Sequence, residues 1–350
     1  MTASVTSTGP ETIAGQKTDP NAPLLEVSDI RVEFRLQGGT VVANDGVSYT
    51  VEAGHTLAIL GESGSGKSVS AQAIMGLIDS PPGFITQGSV RYKGIEMLGM
   101  PEKQRRTIRG NHIAMIFQDA LTALNPVYTV GYQIGEMFRV HRGTSRKEAR
   151  EKAIELMERV KIPSARERVD SYPHEFSGGM RQRVMIAMAL ALDPEVLIAD
   201  EPTTALDVTV QAQVMQLLAD LQEETGMGLI LITHDLGVVA EVADRVAVMY
   251  AGRVVETGEI DEIYHHPGHP YTLGLMQSLP RLEHKGGRLE PIKGSPPDLI
   301  YRPSGCAFHP RCPYMRDRCK TDDPPLYDLE GDRRGSACHF YEEVLRDSRL

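Results

Sequence analysis

Leu57-Ala58-Ile59-Leu60-Gly61-Glu62-Ser63-Gly64-Ser65-Gly66-Lys67-Ser68 decides the reading of this chain. Four apolar residues make a buried-strand run. They lead into G-x-x-x-x-G-K-S, and a helical pattern follows from Val69 to Ile78. Strand, glycine loop and helix together are the context a phosphate-binding loop requires. Gly61, Gly64 and Gly66 let the backbone turn sharply and come close to a ligand. Successive N–H groups then form an anion nest at a helix N-terminus. Lys67 adds a positive charge for the β- and γ-phosphates, and the Ser68 hydroxyl is placed to ligate Mg²⁺. A Gly/Ser-rich turn that merely contains Lys-Ser would lack the flanking strand and helix.

Outward from the loop, the N-terminal side reads as sheet. Leu25, Val27, Ile30 and Val32 alternate with polar residues, the pattern of an antiparallel strand, and Val41-Val42 and Val47 to Val51 continue it. Residues 1–23 are Thr/Ser/Gly/Pro-rich and are expected to be a disordered tail. They lack the basic and apolar regions of a signal peptide, so the expected compartment is the cytoplasm. On the C-terminal side, Ile113 to Phe117 is a buried-strand run ending at Gln118. From about Val130 to Met188 the pattern is mostly helical, including Lys147 to Val160, which suggests a helical subdomain at about 119–182. Phe176-Ser177-Gly178-Gly179-Met180 opens a helix over Arg181 to Leu192. Val196 to Ala199 is a strand ending in Asp200-Glu201, Val208 to Glu224 a helix, and Gly228 to Ile232 a strand followed by His234-Asp235. Strands alternating with helices predict an α/β fold, parallel at the centre of its sheet.

Asp200 stands at the carboxyl end of an apolar strand, where open α/β sheets bind ligands and where a carboxylate can hold the Mg²⁺ shell. Glu201, one residue on, points elsewhere along an extended segment and suits the polarisation of an attacking water. An Asp-Glu after a strand is by itself an ordinary helix cap, and the loop upstream is what shifts the reading to chemistry. The whole chain has 350 residues, 41% of them hydrophobic, and a net charge of −10. That charge argues against a general nucleic-acid binder. No run approaches the about 18 apolar residues of a membrane-spanning helix.

With these residues in view, the chain resembles the ATP-binding subunits of ABC transporters. Gly61–Ser68 matches their Walker A loop and Asp200-Glu201 their Walker B end. Ser177-Gly178-Gly179 matches the core of the LSGGQ signature, with Met180 in place of its Gln. Gln118 matches the Q-loop, Ala205-Leu206-Asp207 the D-loop and His234 the switch histidine. The resemblance covers residues 24–260. It implies a nucleotide-binding domain with a RecA-like P-loop core, an antiparallel β subdomain and a helical subdomain. It also implies a head-to-tail dimer with a second ATPase subunit, a paralogue of this chain, with ATP sandwiched between Gly61–Ser68 of one subunit and Ser177–Gly179 of the other. In that scheme Glu201 is the general base, and His234 holds the γ-phosphate. Ser68, Gln118 and Asp200 serve Mg²⁺, Asp207 of the D-loop counts among the nucleotide-binding residues, and Phe34 is the candidate for stacking on adenine, with Leu36 its rival.

The remainder, residues 261–350, is rich in Pro and His and is expected to be a separate extension, with Gly286-Gly287 as a linker. It holds all four cysteines, Cys306, Cys312, Cys319 and Cys338, spaced x5, x6 and x18. Clustered cysteines in a cytoplasmic chain point to metal more often than to disulfides. The short C-x-x-C pairs of structural zinc are missing, so a [4Fe–4S] cluster is expected, with Zn²⁺ as the alternative. His269-Pro270-Tyr271-Thr272, Gly294-Ser295-Pro296-Pro297 and Gly305-Cys306-Ala307-Phe308-His309-Pro310-Arg311-Cys312 resemble the C-terminal extension of oligopeptide/dipeptide importer ATPases, as does Leu124-Asn125-Pro126 after the Q-loop. In that branch the cysteines are associated with an iron–sulfur cluster. The resemblance implies an ATPase at the cytoplasmic face of the membrane, acting with two transmembrane permease subunits and, indirectly, an external peptide-binding protein. Exposed Leu121 or Leu124 would line the groove that receives the permease. A nickel or other small-solute importer ATPase is the alternative within the family, and a soluble ABC ATPase the alternative outside transport.

Overall fold

The structure, a computed structural model, describes residues 11–204, 206–278, 292–329 and 333–348, and the backbone alone of Leu121. Residues 1–10 of the expected tail, Ala205 of the expected D-loop and the Gly286-Gly287 linker lie outside the described residues. The chain divides into two compact units, each assembled from separated segments.

The first unit comprises Met1–Val27, Thr50–His55 and Ser89–Leu229. Its strands Ile113–Ile116 and Val196–Asp200 run parallel, Ile113 opposite Val196 and Ile116 opposite Ala199. Every residue of both is buried, as a parallel sheet covered on both faces demands. The helices start where the sequence offers caps. Thr129 accepts from the Tyr132 amide ahead of Val130–Arg142, and Ser145 from the Glu148 amide ahead of Arg146–Arg159. Gly143, at φ 65°, ends the first of these helices. Small residues let the helices close up: a Cβ on Gly131 would lie 2.2 Å from Val169 Cγ2, and one on Gly135 3.4 Å from Ala149 Cβ.

One expectation fails here. Part of the supposed tail is ordered, because Thr12–Ile13 and Gln16–Lys17 pair as a small antiparallel hairpin. Ala14 and Gly15, at φ 51° and 81°, make its two-residue turn, the primed geometry that matches strand twist. Ile13 and Thr18 are buried, and the Asp19 amide donates to the Lys93 carbonyl at 2.9 Å. Ala-Gly carries none of the Asn or Asp that usually marks such a turn, so composition alone read it as disorder.

The second unit comprises Ser28–Tyr49, Thr56–Gly88 and Ile230–Leu350. Thr56–Leu60 runs parallel to Arg245–Tyr250, which pairs antiparallel with Arg253–Glu259. The Gly335–Ser336 strand adds to Arg253–Glu259, and Tyr327–Asp328 adds to Gly335–Ser336. The expected boundary near Ile260 is therefore not a boundary between compact units: everything described after it belongs with the phosphate loop. The physical reason lies in the core. Tyr271, Phe308 and Ala337 are buried against Leu60, Val246, Tyr250 and Ile263 in one cluster. A segment so short of apolar residues cannot close a core alone.

Candidate nucleotide site

In the second unit the Thr56–Leu60 strand feeds the loop, and the helix Lys67–Met75 leaves it. Gly61 has φ 151°, and a Cβ there would sit 2.2 Å from the Met249 carbonyl oxygen. Gly66 has φ 99°, and its Cβ would sit 2.2 Å from the Ala43 oxygen. Both positions exclude any side chain. Gly64, at φ 78°, has nothing within 4 Å of its would-be Cβ. Lys67 is 5% exposed, and its ammonium donates to the Gly61 and Glu62 carbonyls at 2.8 and 3.0 Å. Those bonds curl the loop around the charge. Asn44 Nδ2 donates to the Gly66 carbonyl at 3.0 Å, and the Ser70 hydroxyl to the Lys67 carbonyl at 2.8 Å. Gly66, the residue before the helix, brings no side chain to cap it. The Ser65 hydroxyl is buried without a hydrogen-bond partner among the described residues. A buried polar atom left so is a place where a ligand fits. Ser63 and Gly64 are exposed at the tip, and Ser68 is half-buried.

His234 follows Gly228–Ile232 and is exposed. Its surroundings are fixed by capping. The Asp235 carboxylate accepts from the Gly237 and Val238 amides at 2.9 and 3.2 Å, and Asp235 N–H donates to the Thr233 hydroxyl at 3.0 Å. Phe34 is half-buried, its ring edge 2.9 Å from where a Cβ on Gly83 would stand, while Leu36 is exposed.

In the first unit, Asp200 is buried at the end of its strand, 4% exposed. Glu201 takes φ 45°, a left-handed conformation that costs a non-glycine residue about 1–3 kcal/mol and is tolerated where geometry matters. Its Oε2 accepts from Gln118 Nε2 at 2.9 Å and from the Thr204 hydroxyl at 2.8 Å. Gln118 and Glu201, separated by 83 positions, thus meet directly. Ser177 caps Gly178–Leu190 by accepting from the Met180 amide at 3.4 Å. Gly178 and Gly179 lie in its first turn, and a Cβ on Gly179 would stand 2.5 Å from Val210 Cγ1. Asp207 accepts from the Val210 amide at 3.0 Å and caps Val208–Thr225.

Comparison with known proteins gives the family of the chain. The ABC transporter family matches residues 44–204, and the oligopeptide/dipeptide transporter C-terminal region matches residues 255–319. A putative peptide import ATP-binding protein of Brucella abortus (strain 2308) is 50% identical over 333 residues, covering 92% of this chain and 98% of the relative. The oligopeptide transport ATP-binding protein OppD of Bacillus subtilis (strain 168) is 53% identical over 305 residues, 87% of this chain and 85% of that one. The chain belongs to the ABC transporter ATP-binding subunits. Among solved structures, the dimeric cassette MJ0796 in a post-hydrolysis state with ADP and Pi aligns at TM-score 0.61 and 28% identity, over 67% of this chain and 98% of that one. The cbiO1 protein of Clostridium perfringens, part of the complex cbiONQ, aligns at 0.59 and 28%, over 69% and 90%. The expected fold, an α/β ABC cassette, is therefore the fold, and the chain is an ABC ATPase with the C-terminal region of peptide transporters.

ATP and Mg²⁺ are the cofactors of such an ATPase, and the glycine-lined loop with its orphaned Ser65 hydroxyl suits a triphosphate. Met180, expected from the sequence to replace a signature Gln, turns its sulfur to Arg168 Nη1 at 3.6 Å. Leu124 is 2% exposed, which removes it from the expected permease groove, and the Leu121 side chain lies outside the described residues. The apolar surface nearby is made instead by Val127, Tyr128 and Tyr132, the two tyrosines stacked at 4.9 Å. Among the described residues no helix is long and apolar enough to cross a membrane.

The four cysteines are free thiols, and together they line one small cavity with His269, Phe308 and His309. Burial pushes the thiols of Cys312 and Cys338 up to about 12 and raises that of Cys306. Yet among the described residues no three His, Cys, Asp or Glu are arranged to hold a metal ion. Neither the expected [4Fe–4S] cluster nor the zinc alternative therefore finds a metal-holding group among the described residues.

Sequence reasoning missed three residues that handle the site's loops. Thr204 holds Glu201. Tyr271 accepts from the Glu62 amide at 2.8 Å, and Arg311 grips the Glu62 carboxylate at 2.6 and 2.9 Å. Thr204 was within reach of a turn argument. The other two contacts span more than two hundred positions, and no local pattern signals them.

Proposed function

We propose that this chain hydrolyses ATP to power import of di- and oligopeptides through two membrane-spanning permease subunits. What carries the reading is the C-terminal region over residues 255–319, typical of oligopeptide/dipeptide transporters and built into the same unit as the phosphate loop. The relatives named as peptide importers and OppD support it.

The roles follow from the chemistry of each residue. Gly61–Ser68 receives the phosphates, with Lys67 moving its donors from loop carbonyls to phosphate oxygens. Glu62, Ser63 and Ser65 contribute loop groups, and Phe34 stacks on the base. Ser68, Gln118 and Asp200 serve Mg²⁺. Glu201 is the general base, steered by Gln118 and Thr204, and His234 holds the γ-phosphate. Ser177, Gly178 and Gly179 present a helix N-terminus to the nucleotide of a second ATPase subunit, and Asp207 counts among the nucleotide-binding residues. The dimeric neighbour, with its ADP and Pi, supports this pairing. The protein works at the cytoplasmic face of the membrane, its Val127–Tyr132 surface against a permease, and an external binding protein delivers the cargo.

The decisive experiment purifies the chain with its permeases in lipid vesicles and measures ATP hydrolysis. The reading requires stimulation by the peptide-loaded binding protein. Stimulation by a nickel-loaded protein instead would move the cargo to the metal branch. Hydrolysis indifferent to permeases would return the chain to the soluble ABC ATPases.

A [4Fe–4S] cluster on Cys306, Cys312, Cys319 and Cys338 is part of this proposal. Its support is that all four cysteines line one cavity. Bound there, it would cross-link a loop-rich segment through iron–thiolate bonds. Anaerobically purified protein should carry iron and acid-labile sulfide. Zinc in their place would overturn the assignment.

A further inference from the structure

We propose that the C-terminal extension sets the geometry of the phosphate loop through Glu62, with Arg311 and Tyr271 as positioning residues for nucleotide binding. The inference rests on Gly61–Ser68 being the ATP loop. Every polar group of Glu62 is held. Its amide donates to the Tyr271 hydroxyl at 2.8 Å, and its carboxylate takes both terminal nitrogens of Arg311 at 2.6 and 2.9 Å. Its carbonyl accepts from Lys67 at 3.0 Å. The first two partners come from the extension and the third is the phosphate-binding lysine itself. Rotating the Glu62 peptide would therefore move the anchor that Lys67 uses.

Arg311 is built for geometry. Its side chain is 5% exposed. Its guanidinium lies over the rings of Tyr250 and Phe308, 5.8 and 5.9 Å from their centroids, and its Nε donates to the Lys293 carbonyl at 3.1 Å. The planar fork is thus held against two rings and, through Nε, along its edge, which favours a carboxylate presented in one orientation. Burying such a pair adds little net stability, since desolvation offsets the attraction, but breaking it leaves a buried charge alone. A contact of that kind specifies a position. Tyr271 acts from another direction, on the helix Pro270–Gln277, and the two residues that lead into that helix are held by Glu256. That carboxylate accepts from the Gly268 and His269 amides. Arg311 is also followed directly by Cys312, so the segment that lines the cysteine cavity is the segment that grips the loop.

The test uses the full-length chain with Mg²⁺ and a fluorescent ATP analogue, reading equilibrium Kd beside the nucleotide-free melting temperature. Arg311→Met should weaken binding about tenfold, the effect of losing one charged hydrogen-bond pair. Tyr271→Phe, which removes only a hydroxyl, should weaken it about threefold. In a Glu62→Gln background Arg311→Met should add little further, since both act through one contact. A lowered melting temperature with Kd unchanged in both single variants would mean that the contact only glues the extension, and the proposal would fall. If Arg311→Met does not fold, Tyr271→Phe decides alone. Lys67→Ala is the separate control: undiminished affinity there would refute the loop assignment itself.

Discussion

Replacing Gly64 and Gly66 by Ala, one at a time, separates what the phosphate loop needs to fold from what it needs to bind. Both glycines have positive φ, 78° and 99°. Gly64 has open space where a methyl would go, so Gly64→Ala carries backbone strain alone, about 1–2 kcal/mol. At Gly66 the methyl would stand 2.2 Å from the Ala43 carbonyl oxygen and 2.8 Å from Asn44 Nδ2, and the oxygen is backbone that cannot swing away. Strain and overpacking then add, to about 3–5 kcal/mol. Urea midpoints of the two variants should differ accordingly. Mg-ATP affinity should report the other half. Gly64→Ala places its methyl at the exposed tip, where phosphates approach, and should bind ATP more weakly while folding nearly normally. Equal destabilisation by the two substitutions would refute the steric argument. Unchanged affinity in Gly64→Ala would refute the claim that the loop backbone must touch the ligand.

Glu201→Gln should lower hydrolysis by roughly 10²–10⁴ while ATP binding persists, because an amide cannot take the proton from water; phosphate release against analogue binding reads both. Asp45 lies in an ion cluster with Arg31, Arg253 and Arg302, the last two at 2.7 and 2.6 Å, and its carboxyl is held below the usual range mainly by Arg253 and Arg302 against the cost of burial. Its contribution is present above the unfolded pKa and lost as pH falls through the depressed folded value. Asp45→Asn should therefore cost about 3 kcal/mol near neutral pH, and the gap to wild type should close in strong acid, as followed by denaturation at each pH. Glu256 is fully buried, which raises its carboxyl to about 7. Raised above the unfolded value, it stabilises the fold at low pH and loses that contribution as pH rises through 7, about 3 kcal/mol in all. Stability between about pH 5 and 8 should fall more steeply in wild type than in Glu256→Gln, whose amide does not titrate.

Much of this was legible in the sequence, for reasons that can be named. The loop, the buried parallel strands and the helices opened by Ser177 and Asp207 are local events, in which a handful of adjacent residues fixes geometry. Gly228–Ile232 appears as a strand with the expected bounds. The left-handed backbone of Glu201 was not legible, because it answers to the packing around it. Nor was the burial of Leu124, an apolar residue on a short loop that reads equally well as surface. The extension misled most. Its Pro and His content suggested a separate body, but Tyr271, Phe308 and Ala337 find their apolar partners only on strands of the preceding cassette. Arg311 and Glu62, 249 positions apart, meet for the same reason.

The short Gly335–Ser336 strand has a consequence for how the chain avoids its neighbours. By pairing with Glu256 and Thr257 it occupies hydrogen-bonding groups of Arg253–Glu259 that would otherwise face outward. Beyond it, among the described residues, comes only Tyr327–Asp328, two residues long. A long open edge invites strands from other chains, whereas a short one offers too few bonds to template them. Shortening the protein at residue 320 would uncover the seven-residue strand Arg253–Glu259. The expected cost is self-association, beyond any loss of activity. On this reasoning the two short strands of the extension would guard solubility as well as complete the sheet.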